Sequence, residues 1–294
     1  MALIEYTLFG KTDKVKTAID RLKAFEPEEG YVVADSGGKD STVIVALAQM
    51  AGVKHEAIYN VTSVDPPELV RFIKEKRPTT KICIPHDKND KPVSMWNLIP
   101  QMGMPPTQLV RYCCKALKES QNPNRVTVTG VRWAESVNRK HNQGAVVITG
   151  KGAEKFAEAA GADFISTKRG GVVLNDDNDE ARRAVEMCYR TRKTLVNPII
   201  DWTDEDVWEF IKTEHLPYCE LYDCGYKRLG CIGCPMGNTK GMKRDFERYP
   251  QYKKLYLKAF ARMLEENAKR GRQFKENTAE GVMRWWMRDD NYEC

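Results

Sequence analysis

The sequence predicts an α/β protein: an open, mostly parallel sheet with helices on both faces, followed by a helical carboxy-terminal region. Three observations carry the prediction. Short β-branched, apolar runs alternate with amphipathic stretches from residue 14 to about residue 200, the pattern of strand–helix–strand units. One apolar run, in YVVADSGGKDSTVIVAL at 31–47, breaks at a glycine pair and resumes with helical spacing. After residue 203 the period-two signal disappears and helical periodicity takes over.

The totals are consistent with this. The chain has 294 residues, 41% hydrophobic and 30% charged, enough to bury one large core with a smaller appendage. No stretch approaches the 18 or more apolar residues of a membrane span. The first residues, MALIEYTLFGKTDK, lack a basic leader and a small-residue cleavage site, so the expected location is the cytoplasm. The net charge of +6 is spread along the chain. It is compatible with anionic substrates but more diffuse than in a dedicated nucleic-acid binder.

In chain order, KVKTAIDRLKAF (14–25) places Val15, Ala18, Ile19 and Leu22 on one helical face, and FEPEEG ends that helix. HEAIYNVT (55–62) reads as a strand, PPELVRFIKEKR (66–77) as a helix with proline in its first turn, and KICIPH (81–86) as a strand. RVTVTGV (125–131) and LVNPII (195–200) continue the series. Residues 141–194, with HNQGAVVITGKG, KRGG and NDDNDE, read as an insertion of turns and exposed loops around short elements. TDEDVWEFIKTEH has a threonine cap and an acidic first turn. Tyr252, Leu255, Tyr256, Ala259, Phe260, Met263 and Leu264 form a helical stripe expected to pack on the core. The expected organisation is an N-terminal helix at 1–27, an α/β nucleotide-binding domain at 28–236 and a helical appendage at 237–294.

The chemistry concentrates at the glycine pair. In an open parallel sheet, ligands sit beyond the carboxyl ends of strands. Gly37 and Gly38 permit close backbone approach there, and amides at the following helix start can face an anion. Ser36 and Ser41 add hydroxyls, and Lys39 adds a charge. Together they make a candidate phosphate cradle. TGVRWAESVNRK then places Arg132, Glu135, Ser136 and Arg139 at helical spacing on the same rim, with the two guanidinium groups suited to an anion.

Nine cysteines in a reducing compartment point to metal or sulfur chemistry rather than disulfides. Cys113 and Cys114 are adjacent, while Cys219, Cys224, Cys231 and Cys234 fall within sixteen residues. Four thiolates can hold a 4Fe-4S cluster or a zinc ion. The local set of Cys219, Cys224, Cys231 and Cys234 is one candidate knuckle, and it leaves the adjacent pair unexplained. Cys83 and Cys188, each alone among apolar residues, read as buried small hydrophobes.

SGGKDS resembles the SGGxDS loop of the adenine-nucleotide α-hydrolases, or ATP pyrophosphatases, and implies their Rossmann-like fold. With TGxRxxES, the W-x-x-x-DVW segment, LYD, GY and GCxxCP, the chain resembles the phosphoadenosine phosphosulfate (PAPS) reductase family from about residue 28 to residue 236. The resemblance implies that Ser36 to Ser41, with Lys39 and Asp40, grip a nucleotide's phosphates, with magnesium accompanying ATP. Arg132, Glu135 and Arg139 would line that site. Iron-sulfur adenosine 5′-phosphosulfate (APS) reductases bind their cluster through a CC pair and a distant CxxC, which here are Cys113, Cys114, Cys231 and Cys234. Lys118 matches a basic residue beside that cluster.

Two departures bear on function. Those reductases carry a nucleophilic cysteine in a carboxy-terminal ECGLH-type motif, reduced by a thioredoxin-like donor, whereas this chain reads NYEC, with Cys294 last. Reductases that take a preformed sulfonucleotide often have a degenerate loop, whereas SGGKDS is whole. The intact loop favours an ATP-cleaving sulfurtransferase, with a cluster or a cysteine desulfurase supplying sulfur to a nucleic-acid or other acceptor. The second expectation is an APS or PAPS reductase with Cys294 as nucleophile. The third is a nucleotide-binding accessory subunit with a structural cluster.

Overall fold

The computed structural model describes residues 3–7, 10–121, 124–168, 170–188 and 192–289. Cys294 and any role for it lie outside them. The chain begins with an antiparallel hairpin, β1 (Ile4–Thr7) and β2 (Gly10–Asp13), which the sequence reading had not identified. Asp13 caps α1 (Lys14–Ala24), its carboxylate accepting the amides of Val15 and Lys16 at 3.0 Å each. These bonds satisfy two of the donors that every helix start leaves open.

The predicted strand–helix series follows: β3 (Tyr31–Ala34), α2 (Lys39–Ala51), β4 (His55–Asn60), α3 (Pro67–Lys76) and β5 (Lys81–Cys83). After them come α4 (Met95–Met102), α5 (Tyr112–Cys114) and β6 (Thr127–Val128). After α6 (Val137–Asn142), the segment read as turns and exposed loops around short elements contains β7 (Val146–Thr149), α7 (Ala153–Ala160), β8 (Ile165–Ser166), β9 (Val172–Leu174) and α8 (Asp179–Cys188). β10 (Lys193–Val196) and α9 (Asp204–Thr213) lead to three final helices, α10 (Thr239–Arg248), α11 (Pro250–Lys269) and α12 (Ala279–Met287).

Eight strands form one sheet in the order β5-β4-β3-β6-β10-β7-β9-β8, with helices on both sides. β3 runs parallel to β4 and β6, and β10 runs parallel to β6. The open α/β sheet expected from the alternation is therefore present. From β10 outward the pairing turns antiparallel, through β7, β9 and β8. The insertion thus extends the sheet rather than decorating it, and Val146, Ile148, Val172 and Leu174 are fully buried.

The chain divides into two units. Unit 1 takes Met1–Tyr59, Arg71–Lys81 and Asn122–Arg228, and unit 2 takes Asn60–Val70, Ile82–Gln121 and Leu229–Cys294. The core of unit 1 packs β3, β6, β7 and β9 against α1, α2, α7, α8 and α9. Unit 2 has its own core, in which Tyr256, Phe260 and Met263 of α11 meet Leu98 and Ile99 of α4 and Met283 and Trp286 of α12. The predicted stripe on α11 is buried except at its margin, where Leu255 is 39% exposed. Among the described residues no helix is long and apolar enough to cross a membrane.

Candidate functional site

β3 is buried through Val33 and ends against a tight turn. Asp35, 1% exposed, accepts the Gly37 amide at 3.1 Å and the Thr80 hydroxyl at 2.9 Å. Gly37 has φ of +72°, a conformation that a side chain resists. Gly38 caps α2, and the hydroxyls of Ser41 and Thr42 donate to its carbonyl at 2.9 and 3.0 Å. Ser36 is exposed beside this turn, its hydroxyl 3.4 Å from that of Ser41. The six residues of SGGKDS therefore form the strand-to-helix turn that the sequence predicted. Two of its amides are engaged, that of Gly37 by Asp35 and that of Lys39, which donates to the Tyr222 hydroxyl at 2.7 Å.

A network of four charges lies at the first turn of α2. The Arg132 side chain is 1% exposed, with Nε 2.8 Å from Asp40, Nη2 2.5 Å from Asp204 and Nη1 donating to the Trp202 carbonyl at 3.2 Å. The Lys39 ammonium lies 3.3 Å from Asp204 and 3.7 Å from Asp40. Partial burial alone would raise the Asp204 pKa, but hydrogen bonds and charge from Arg132 and Lys39 lower it below the usual carboxylate value. The approach of the β6 strand end to α2 depends on Gly130. A Cβ there would stand 2.9 Å from the Asp40 Cβ.

The single helical face expected for Arg132, Glu135, Ser136 and Arg139 is not what forms. Arg132 is extended, Trp133–Glu135 make one 3-10 turn, and Ser136 caps α6 by accepting the Arg139 amide. Glu135 accepts the Arg132 amide at 3.2 Å and pairs with Arg139 and with Arg228. The sequence-predicted residues are thus brought together around α2, but with Arg132 turned onto carboxylates and Arg139 onto Glu135.

The second constellation lies within unit 2. Cys113 and Cys114 end α5, which runs directly into a π-helical turn at Lys115–Glu119. Such wide turns are frequent at functional sites. Cys231 and Cys234 bracket a turn in which Gly233 has φ of +67°. A Cβ at Gly233 would stand 2.6 Å from the Phe246 ring. Hydrogen bonding between the adjacent thiols raises Cys113 and lowers Cys114 to about 6, and the charges of Cys231 and Cys234 raise Cys113 further. Burial raises Cys231 and Cys234. Lys118 is raised, first by Cys231 and also by Asp65, Cys114 and Cys234.

Four thiols and one ammonium are therefore within electrostatic reach of one another. The Cys231 thiol also lies 3.6 Å from the Thr62 hydroxyl, and Asp65 accepts the Thr62 amide at 2.8 Å. Among the described residues, no three His, Cys, Asp or Glu side chains converge in the manner of a single-ion site. Cys219 is buried and Cys224 exposed, both in unit 1. Cys188 is buried as expected, whereas Cys83 is only half-buried.

The model of the phosphoadenosine phosphosulfate reductase domain matches residues 30–236. The chain belongs to this family. Among similar proteins, an uncharacterized protein of Methanocaldococcus jannaschii is 25% identical over 218 residues, covering 74% of this chain and 44% of that one. Adenosine 5′-phosphosulfate reductases of Oceanobacillus iheyensis and Bacillus cereus are each 25% identical, covering 69% and 81% of this chain and 70% and 88% of theirs. The chain thus spans less than half the length of the archaeal relative. Among solved structures, the PAPS reductase of Candida auris overlaps with a TM-score of 0.41 at 16% identity, covering 73% of this chain and 88% of that one. FMN adenylyltransferase of Candida glabrata, in complex with FAD and inorganic pyrophosphate, overlaps at 0.43 and 14%, covering 80% and 72%.

Membership in the PAPS reductase family leaves several site residues that the motifs did not single out. Asp204 had read only as part of an acidic helix start. Tyr222 belongs to the LYD motif, but nothing local connects its hydroxyl to the Lys39 amide. Thr62 and Asp65 follow β4, and their place after a strand's carboxyl end is the one signal that could have marked them.

Proposed function

We propose that the chain cleaves ATP to AMP and pyrophosphate, adenylating an acceptor that then receives sulfur. The observation that carries this reading is the whole SGGKDS turn at the start of α2, with backbone amides, two hydroxyls and a lysine gathered at one helix end. Such a turn suits a leaving pyrophosphate, which a preformed sulfonucleotide does not release. The acceptor oxygen, its proton passing to solvent, attacks the α-phosphorus, the bond to the bridging α–β oxygen breaks, and both electrons leave with pyrophosphate. A sulfur nucleophile then displaces AMP, which leaves with the acceptor oxygen. The amides of Gly37 to Lys39 and the hydroxyls of Ser36 and Ser41 bind the departing pyrophosphate oxygens. For these donors to do so, Asp35 must release the Gly37 amide, Tyr222 the Lys39 amide, and the Ser41 hydroxyl must turn from the Gly38 carbonyl. Asp40 and Asp204 are the carboxylates that would meet magnesium carried by the nucleotide, Lys39 would offer positive charge to its phosphates, and the enclosed Arg132 would hold the two carboxylates in position.

The donor set of Cys113, Cys114, Cys231 and Cys234 suits a 4Fe-4S cluster by its chemistry, four partly buried free thiols within one unit. When bound, such a cluster supplies sulfur or electrons. Lys118 offers positive charge beside the thiolates, and Thr62 offers a hydroxyl to Cys231. Incubation with ATP labelled at the α-phosphate tests the reading. AMP is the expected product, and Lys39→Ala lowers its formation about a hundredfold, the scale of losing one oxyanion contact. ADP as the product, or AMP formation indifferent to Lys39, would contradict it.

A second reading is favoured by the relatives named APS reductase, one of them matched over 88% of its length. There Cys294 attacks the sulfur of the sulfonucleotide, AMP or its 3′-phosphate leaves, and a thioredoxin-like dithiol supplies the two electrons that free sulfite from the cysteine.

A further inference from the structure

Residues 253–275 contain eight basic and two acidic side chains, a local excess equal to the net charge of the whole protein. The fold sorts them. Tyr256, Ala259, Phe260 and Met263 turn into the unit 2 core, leaving Lys254, Lys258 and Arg262 exposed at successive i, i+4 positions. Among the described residues, none of these three has an acidic partner within 4 Å. Glu266, one turn further on, is taken by Lys269 and Arg270. The row spans about 12 Å of helix, a length over which a nucleic-acid strand presents three or four phosphates.

Beyond the helix end, Arg272 and Lys275 are exposed. Lys275 lies 5.2 Å from the centroid of Trp285, whose ring meets Phe274 edge-on at 5.1 Å. Both aromatics are partly exposed. Cations beside an accessible aromatic pair suit a single strand, which offers phosphates and stacking faces together.

We propose that this surface of unit 2 binds a nucleic-acid strand through its phosphate backbone. A membrane is the weaker fit. An interfacial helix must insert its apolar face into lipid, and the apolar face of α11 is already buried in protein. The proposal does not depend on the nucleotide reading above, because binding rather than turnover is measured.

The test is fluorescence anisotropy of the full chain with fluorescein-labelled oligo(U) and oligo(dT) of twenty nucleotides across a salt series. The expected result is binding that weakens with salt. In the triple variant Lys254→Gln, Lys258→Gln and Arg262→Gln it should weaken at least tenfold, and the salt slope should become shallower by about 2, the figure for three single-strand phosphate contacts. A control triple on unit 1, Lys74→Gln, Lys76→Gln and Lys212→Gln, leaves both unchanged if the row is the site. Equal losses from the two triples, no binding by the wild-type chain at low salt, or an unaffected row variant would each overturn the proposal. So would binding to phosphatidylserine vesicles, but not to oligonucleotides, that the row variant abolishes.

Discussion

Gly130 and Tyr222 hold the candidate nucleotide site by opposite means, one by lacking a side chain and the other by supplying one. At Gly130 the added methyl of alanine meets the Cβ and backbone of Asp40, neither of which can move without shifting the first turn of α2. Gly130→Ala should therefore lower stability by about 1–3 kcal/mol, the usual cost of overpacking, and impair nucleotide binding with it. Urea denaturation and equilibrium dialysis with ATP check the two effects. Tyr222→Phe removes one hydrogen bond from the Lys39 amide, at a cost of about 1 kcal/mol to the free protein. Because the amide is then open, inorganic pyrophosphate should bind the variant at least as tightly as the wild type. Weaker binding by calorimetry would mean that the hydroxyl serves the ligand rather than competing with it.

At the scale of elements, the start of α9 is fastened by a pair that links distant parts of unit 1. The Lys14 ammonium lies 2.7 Å from Asp206 and 2.6 Å from Glu5, while Asp206 completes a reciprocal cap with Thr203. Burial alone would lower Lys14 and raise Asp206, but their hydrogen bonds and mutual charge reverse both shifts. The stabilisation from Asp206, whose folded value is depressed, is complete above its unfolded value near 3.8 and is lost as pH falls through the folded value. That from Lys14, whose value is raised, is complete below 10.5 and is lost as pH rises through the folded value. Asp206→Asn should cost about 3 kcal/mol near neutral pH. The difference from wild type should shrink in acid, where the native carboxylate is itself protonated. A difference in melting temperature that persists unchanged at pH 2 would contradict this assignment.

For the whole molecule, the sequence made the parallel half of the sheet and its phosphate turn readable, because β3 is a continuous apolar run, β4 has an apolar centre at Ala57–Tyr59, and Gly37 and Gly38 interrupt a strong pattern. The antiparallel half was not readable. β8 and β9 have two and three residues, too few to show alternation. The glycines with positive φ at 150, 152, 161 and 170 are turns between elements that resemble a loop when read in series. Spacing alone also could not separate one helix at 132–142 from a 3-10 turn followed by a Ser136 cap. Nor could it show that Arg132 would be enclosed by Asp40 and Asp204, since that depends on two segments meeting in space. The diffuse charge of the sequence likewise became a row only once α11 buried its other face.

The central claim, that ATP is the nucleotide cleaved, is tested most directly by comparing substrates on one preparation. The chain is reconstituted anaerobically with iron and sulfide, then incubated separately with ATP, APS and PAPS, with thioredoxin and dithiothreitol present throughout as two-electron donor, while AMP, pyrophosphate and sulfite are followed. The account predicts pyrophosphate and AMP from ATP, with no sulfite from either sulfonucleotide. Sulfite release from APS or PAPS that is lost in Cys294→Ser, with ATP left intact, would contradict it and make the chain a sulfonucleotide reductase.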